Sequence, residues 1–416
     1  MNQYPDFSLQ RLAAEVQGYD SGRFQLSGDL QGLARVRQAA APEAIVFYCA
    51  RILEALAADA LRNVKLEPSP NVFCNLDALQ QYNLIPMPTL YLAHALRRSG
   101  NMVRHIHRRL HPREPELALL FTERWLQWFF QDYRHGLKLR CLTCDGGPLG
   151  LSGQARLRKL LADLEELDQH VDDLLSPGGN GLHGELLWAP ALPAVLSEML
   201  LERGKNAEAH TVLENALKEF PDDLRLNQLL GLYYSRTGNY DKVECLEPFF
   251  QRHADDDETA GITAGVYKRR WMKDRTCKNW LEKSQRSYRQ GWKQSQKACA
   301  YLGINAATTA VWLGRSEEAK KLAGEVRKHL LGRAAILRDQ ETTDPDVGLN
   351  YWDQVTVAEA ELLLGNLAEA RKIYNKAFAM YDQEQAANTA VTRQQLETLL
   401  PYVGYSGTAA EFLKAT

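Results

Sequence analysis

Residues 96–109 read LRRSGNMVRHIHRR, five arginines and two histidines around a Ser-Gly-Asn. Such a set could act on a phosphodiester. A histidine with a pKa near neutrality can take a proton from a ribose 2′-OH or give one to the leaving 5′-oxygen. Arginine can offset the charge of the pentacoordinate phosphate. Chemistry of this kind needs no metal and leaves a 2′,3′-cyclic phosphate and a 5′-OH.

Spacing decides which of these side chains could cooperate. On a helix with Leu96 at zero, Leu92, Val103, Ile106 and Leu110 fall between about −80° and 0°, and His94, Arg98, Asn101 and His105 between about 140° and 200°. Arg98, Asn101 and His105 therefore share the face opposite an apolar stripe, at i, i+3 and i+7 over about 10 Å. Arg98 and His105 are the candidate catalysts, and Asn101 would orient the histidine or bind phosphate. His107 lies beside the stripe and reads as a hydrogen-bonded packing residue. The two histidines, about 200° apart, make a poor metal chelate, so no metal site is expected. Arg97, Arg104, Arg108 and Arg109 extend a stretch to Arg113 that contains no acid and would attract an RNA backbone. The other reading of the same face is that Arg98 pairs with a bundle carboxylate such as Glu54 and the rest is solvated.

The elements that must hold these residues are helical. Apolar residues recur at helical spacing almost throughout and two-residue alternation is nearly absent, which predicts an all-α fold. Ile45, Val46, Cys49, Ile52, Leu53 and Leu56 mark one helix behind Pro42; Leu117, Leu120, Phe121, Trp125, Trp128 and Phe129 mark a longer one. These form half of an N-terminal helical bundle that CDGGPLG closes near residue 150. Residues 151–184 then carry a heptad helix, with Leu157, Leu160, Leu164, Leu167, Val171 and Leu174 on its seam, and the joint SPGGNGLHG. The seam could pair with a second copy or fold back onto the adjacent domain. From 185 to 416 helix pairs repeat. Gly204 and Gly238 stand at equivalent turns 34 residues apart (238 − 204), the tetratricopeptide period, and the turn recurs at Gly314 and Gly365 with an insertion between them. A solenoid of this kind presents a concave surface to proteins or peptides.

The chain has 416 residues and a formal net charge of −2, so two or three domains are expected and any nucleic-acid affinity must come from a local patch. The start, MNQYPDFSLQRLAAEVQGYD, lacks a signal-peptide pattern and no run has the roughly eighteen apolar residues of a membrane span, which predicts a cytoplasmic protein with no membrane contact. Seven cysteines in a chain of this size argue against a disulfide framework. Cys141 and Cys144 lack the second pair a zinc site would need and read as a thiol pair. DQHVDD (168–173) reads as the exposed face of the heptad helix. There is no Walker-type loop, no Gly-x-Ser-x-Gly elbow and no His-Glu-x-x-His, and no cofactor is implied.

Two family resemblances follow. Residues 195–385 resemble the TRAF-binding tetratricopeptide region of the apoptosis signal-regulating kinases and its bacterial relatives. The match is carried by Glu258, Gly265, Tyr267, Lys268, Leu281, Tyr288, Gly291, Tyr301, Gly303, Ile304, Asn305, Ala306, Tyr351 and Trp352. Most of these read as repeat architecture: Gly303 permits close approach and Asn305 caps or bridges backbone groups. This resemblance implies a sensing or docking role. The first 140 residues resemble the DUF4145 group of the HEPN superfamily, through ARILEAL (Arg51, Glu54) and HALRRSGNMVRH. Catalytic members use an arginine and a histidine separated by four to six residues, and Arg98 and His105 enclose six.

Together the resemblances imply a metal-independent ribonuclease under a tetratricopeptide sensor, dimeric through its N-terminal bundle, with RNA and a protein trigger as partners. That pairing points to phage defence or a stress response. The alternative is a non-enzymatic scaffold that binds a partner protein through the solenoid, with the N-terminal part dimerising or binding a nucleotide.

Overall fold

The computed structural model describes residues 7–17, 25–82, 84–104, 109–136, 139, 155–167, 182–254, 256–295, 297, 299–338, 349, 351–379 and 386–414. Among them there are helices and no strand, as the 3.6-residue periodicity requires. The chain divides into two compact units, Met1–Leu230 and Gly231–Thr416.

The first unit is built from α1 (Phe7–Gln17), α2 (Leu26–Gln38), α3 (Pro42–Asn63), α4 (Val72–Gln81), α5 (Met87–Val103), α6 (Glu114–Gln127), α7 (Ala155–Glu165), α8 (Leu182–Leu186), α9 (Ala191–Glu202), α10 (Asn206–Glu219) and the start of α11 (Leu224–Arg236). The two predicted helices are α3 and α6, and all twelve of their marker residues are buried. The second is shorter than expected, because the chain turns into a π-helical segment at Trp128–Asp132. There Trp128 and Phe129 pack with Trp125 and Tyr133. Gly100 lets α5 approach α3: a Cβ added there would lie 2.4 Å from that of Ala50. The heptad helix folds back. Leu157, Leu160, Leu164 and Leu167 are buried inside this unit, and α7 is tied to α6 by Arg158–Glu123 and Arg124–Glu165. The four described seam leucines thus pack within one chain. Val171 and Leu174, like Cys141, Cys144 and Asp168–Asp173, lie outside the described residues. The compact units part at Leu230–Gly231, so α9 and α10 lie in the first of them.

The second unit continues from α11 through α12 (Tyr240–Arg252), α13 (Asp257–Lys273), α14 (Lys278–Gln294), α15 (Ala300–Trp312), α16 (Ser316–Arg338), α17 (Tyr351–Leu363), α18 (Leu367–Ala379), α19 (Ala386–Leu399), a 3-10 turn (Leu400–Val403) and α20 (Ala409–Lys414). Five turns of the chain share one closure. Gly204, Gly238, Gly314, Gly365 and also Gly404 adopt φ of 73–89°, a left-handed conformation that glycine reaches without a Cβ clash. After each, the next N–H bonds back to the carbonyl five residues earlier: Lys205 to Leu200, Asn239 to Tyr234, Arg315 to Ala310, Asn366 to Glu361 and Tyr405 to Leu400, at 2.8–3.1 Å. The α13–α14 pair uses a different closure, the Asp274 carboxylate accepting from the Thr276 N–H and hydroxyl. It fills the gap between Gly238 and Gly314 with a repeat that has no glycine signal. The 23-residue α16 takes up part of the insertion before Gly365.

Gly100→Ala is expected to destabilise the protein by about 1–3 kcal/mol, because the added methyl overpacks the α3–α5 crossing. Gly28→Ala, whose Cβ would meet nothing closer than 3.7 Å, should be neutral or slightly stabilising. Urea unfolding midpoints of the two variants check this.

Candidate functional site

The first part of the basic motif sits on α5, where several of its described residues have partners. α5 runs to Val103 and Arg104 stands in a turn after it. Leu96 is core. Arg97 is buried, with its guanidinium 5.3 Å from the Phe73 ring centroid. Arg98 donates from Nη2 to Glu198 Oε1 of α9 at 2.8 Å. Ser99 donates to Glu114 Oε2 at 2.9 Å. Glu54, the expected partner of Arg98, instead meets Arg104 at 3.5 Å on the surface. Asn101 is half-buried and Arg109 is exposed beyond the helix end. His105, His107 and Arg108 lie outside the described residues.

What gathers around Arg98 is a buried charge cluster. Glu198 Oε1 also accepts from Arg225 Nε at 2.7 Å, and Arg225 in turn donates to Gln228. Burial pushes the Glu114 carboxyl up to about 7; Asp223 adds to the rise, while the Ser99 hydroxyl and Arg98 oppose it. Burial raises Asp223 as well, against the N–H of Leu226 and the two arginines. Three carboxylates thus face two guanidiniums, and a proton on Glu114 brings the charges into balance. Sequence reasoning missed Glu198 and Asp223 because they come from α9 and the turn before α11, distant in sequence from the motif, and Glu114 because it stands on the next helix, α6.

A second polar centre lies in the other unit, on the residues that carried the tetratricopeptide resemblance. Lys268 of α13 is half-buried and donates to Asn305 Oδ1 of α15 at 2.7 Å and Gln395 Oε1 of α19 at 3.2 Å. The Gln395 amide passes the link to Glu359 of α17 at 3.0 Å, where Thr308 also donates. Burial depresses the Lys268 ammonium to about 8, with Glu359 opposing and Arg269 reinforcing the fall. Burial raises Glu359 against the bonds from Thr308 and Gln395 and the charge of Lys268. Asn305 Nδ2 holds the Tyr301 carbonyl at 2.9 Å, the backbone bridge its type predicted. Gly303 is required by packing, since a Cβ there would lie 2.5 Å from Val326 and 2.9 Å from Trp292. Tyr301 and Trp352 are exposed at the N-terminal ends of α15 and α17. Glu359 and Gln395 escaped the sequence reading; the available signal was an acid set among Val355, Ala358 and Leu362 on an apolar stripe.

Among the described residues no group of three or more His, Cys, Asp or Glu could hold a metal ion, and no helix is long and apolar enough to cross a membrane. Comparison with family models matches residues 205–310 to a sensor type of tetratricopeptide repeat, Tetratricopeptide Repeats-Sensor. No curated protein and no solved structure matches the chain. The match supports the tetratricopeptide architecture of this stretch and a regulatory or sensing role.

Two predictions follow from the paired clusters. A carboxyl raised in the folded state stabilises it below the unfolded value, here 4.5, and that contribution is lost as pH climbs through about 7. Glu114→Gln should therefore gain stability over wild type at pH 8 relative to pH 5, read from urea midpoints at both values. Lys268→Met should destabilise by about 3 kcal/mol because it strands Glu359 in the interior, and adding Glu359→Gln should restore part of the loss. A double-mutant cycle with no coupling would contradict the network.

Proposed function

We propose that the protein is a regulatory sensor whose tetratricopeptide array binds a trigger and whose N-terminal helical unit carries the response. The match of residues 205–310 to the sensor type of repeat carries this reading. It is supported by the polar centre around Lys268, which draws four helices of the array to one point. A buried ammonium and a buried carboxyl linked through two side-chain amides make an arrangement that a ligand or partner at the exposed Tyr301 and Trp352 could rebalance. In the first unit, Glu198 ties α9 of the leading repeat pair to α5 of the bundle, which supplies a rigid element through which a response could be felt.

The same pairing weighs against ribonuclease chemistry at Arg98. A guanidinium held by a buried carboxylate has its charge already met, and cleavage would require it to leave Glu198. Recognition of RNA without turnover would rest on surface arginines such as Arg109.

Hydrogen exchange on the full chain tests the sensing role, with the small-molecule filtrate and the desalted macromolecular fraction of a cell extract added separately. One fraction should protect α13, α15 and α17 in wild type and fail to do so in Tyr301→Ala/Trp352→Ala. No change with either fraction would count against a sensor. In parallel, wild type incubated with total RNA and EDTA should leave it intact; cleavage abolished by both Arg98→Ala and His105→Ala would restore the ribonuclease reading.

A further inference from the structure

Basic side chains are dense along α13 and α14, and several of them meet an acid. Arg270 pairs with Glu244, Lys283 bonds Glu247 at 2.9 Å, and Arg289 reaches Glu318 at 2.9 Å. Lys268 and Arg269 differ, although both are half-buried. The acceptors of Lys268 are the neutral amide oxygens of Asn305 and Gln395. Arg269 donates from Nε to the Ser235 hydroxyl of α11 at 2.7 Å, and among the described residues neither of its Nη nitrogens has an acceptor. Those two nitrogens are not sealed from water.

The open edge of Arg269 is held in place. Gly265 stands one turn earlier on α13, and both Nη atoms lie 3.5–3.6 Å from the position a Cβ would take there. The guanidinium therefore lies back over bare helix backbone, beside the Tyr288 hydroxyl, which is 3.6 Å from the same point. Burial keeps the Tyr288 phenol protonated by raising it well above its ordinary value. Tyr301 stands exposed nearby, its hydroxyl 3.5 Å from that of Tyr288. Two like charges side by side repel, and Arg269 reinforces the depression of the Lys268 ammonium. Glu359 opposes it, but the hydrogen-bonded link to that carboxyl runs through the Gln395 amide. A cation pair fixed in position, open to water on one edge and touching no carboxylate is short of an anion.

We propose that Arg269 and Lys268 form the receiving site for an oxyanion group of a ligand, seated on the Nη edge of Arg269 with Tyr301 at the rim. A guanidinium takes a carboxylate or a phosphate by two parallel bonds, so the shared chemistry is a pair of anionic oxygens. Neutral amides and amines lack it. The proposal deepens the sensor reading, because Lys268 and Tyr301 belong to the centre invoked there; it rests on that reading for the consequence of binding and not for binding itself.

The probes are ethyl phosphate, propionate, propionamide and ethylamine, each titrated into the full chain at constant ionic strength and followed by ligand-observed NMR. Ethyl phosphate, propionate or both should bind saturably, and the tighter of the two identifies the group received. Propionamide and ethylamine should not bind. Arg269→Gln should weaken the bound acid by about tenfold or more. Arg269→Lys keeps the charge without the fork and should weaken it less, which preserves the test if the first variant loses its native thermal transition. Arg270→Gln, whose cation already meets Glu244, should leave the affinity unchanged. No saturable binding of either acid, similar binding of propionamide or ethylamine, or equal losses in Arg269→Gln and Arg270→Gln would each overturn the proposal, whatever an extract fraction does to hydrogen exchange. Arg269-dependent binding that protects α13 and α15 supports the site and the sensor together; the same binding without protection supports the site and counts against the sensor.

Discussion

Glu198 is the side chain on which the first unit turns. Its carboxylate is nearly sealed from water and accepts Arg98 from α5 and Arg225 from α11 on the same oxygen. Burying one carboxylate is unfavourable by several kcal/mol unless donors of good geometry replace its water, and two guanidiniums do so here. The consequence is positional. α9 cannot shift along α5 without stranding a buried charge, so the leading repeat pair packs as part of the N-terminal unit. The cluster also explains why Arg98 stands opposite the apolar stripe of α5 yet is not a solvated side chain: the outward face of that helix meets another helix.

The array solves a different problem. Its glycine turns set where each helix ends, but they do not specify which inner faces meet. Apolar contacts alone are tolerant of small shifts, because many packings bury similar area. Hydrogen bonds from Lys268 to Asn305 and Gln395, and from Gln395 to Glu359, are not, since any slip leaves a buried polar group unmet. Residues 268 and 395 are far apart in sequence, so this one network joins the third helix of the unit to its last long one. Burial lowers the Lys268 ammonium and raises the Glu359 carboxyl, the cost of holding these groups inside the array.

The all-α class, the core faces of α3 and α6 and the four glycine turns were legible because each follows from local periodicity or from one backbone conformation. Two repeats were not. The α13–α14 turn is closed by Asp274 and Thr276, a side-chain device with no glycine to mark it, and the last turn at Gly404 follows a 3-10 segment that breaks the helical period. The candidate site was legible only in its residue types. The wheel set Arg98 and Asn101 on the face opposite the apolar stripe, and both are half-buried there. Carboxylates that arrive from other helices leave no trace near the motif, so the pairing of Arg98 with Glu198 in place of Glu54 could not be read from spacing.

The end of α5 also constrains what any nucleic-acid contact could be. With Arg97 packed on Phe73, Arg98 on Glu198 and Arg104 facing Glu54, three of the arginines in the motif have local partners. Each phosphate contact that survives contributes through counterion release, and its strength scales with the number of arginines that remain in water. A patch reduced in this way has fewer counterions to release, so any phosphate contact it makes is weak and its salt dependence shallow.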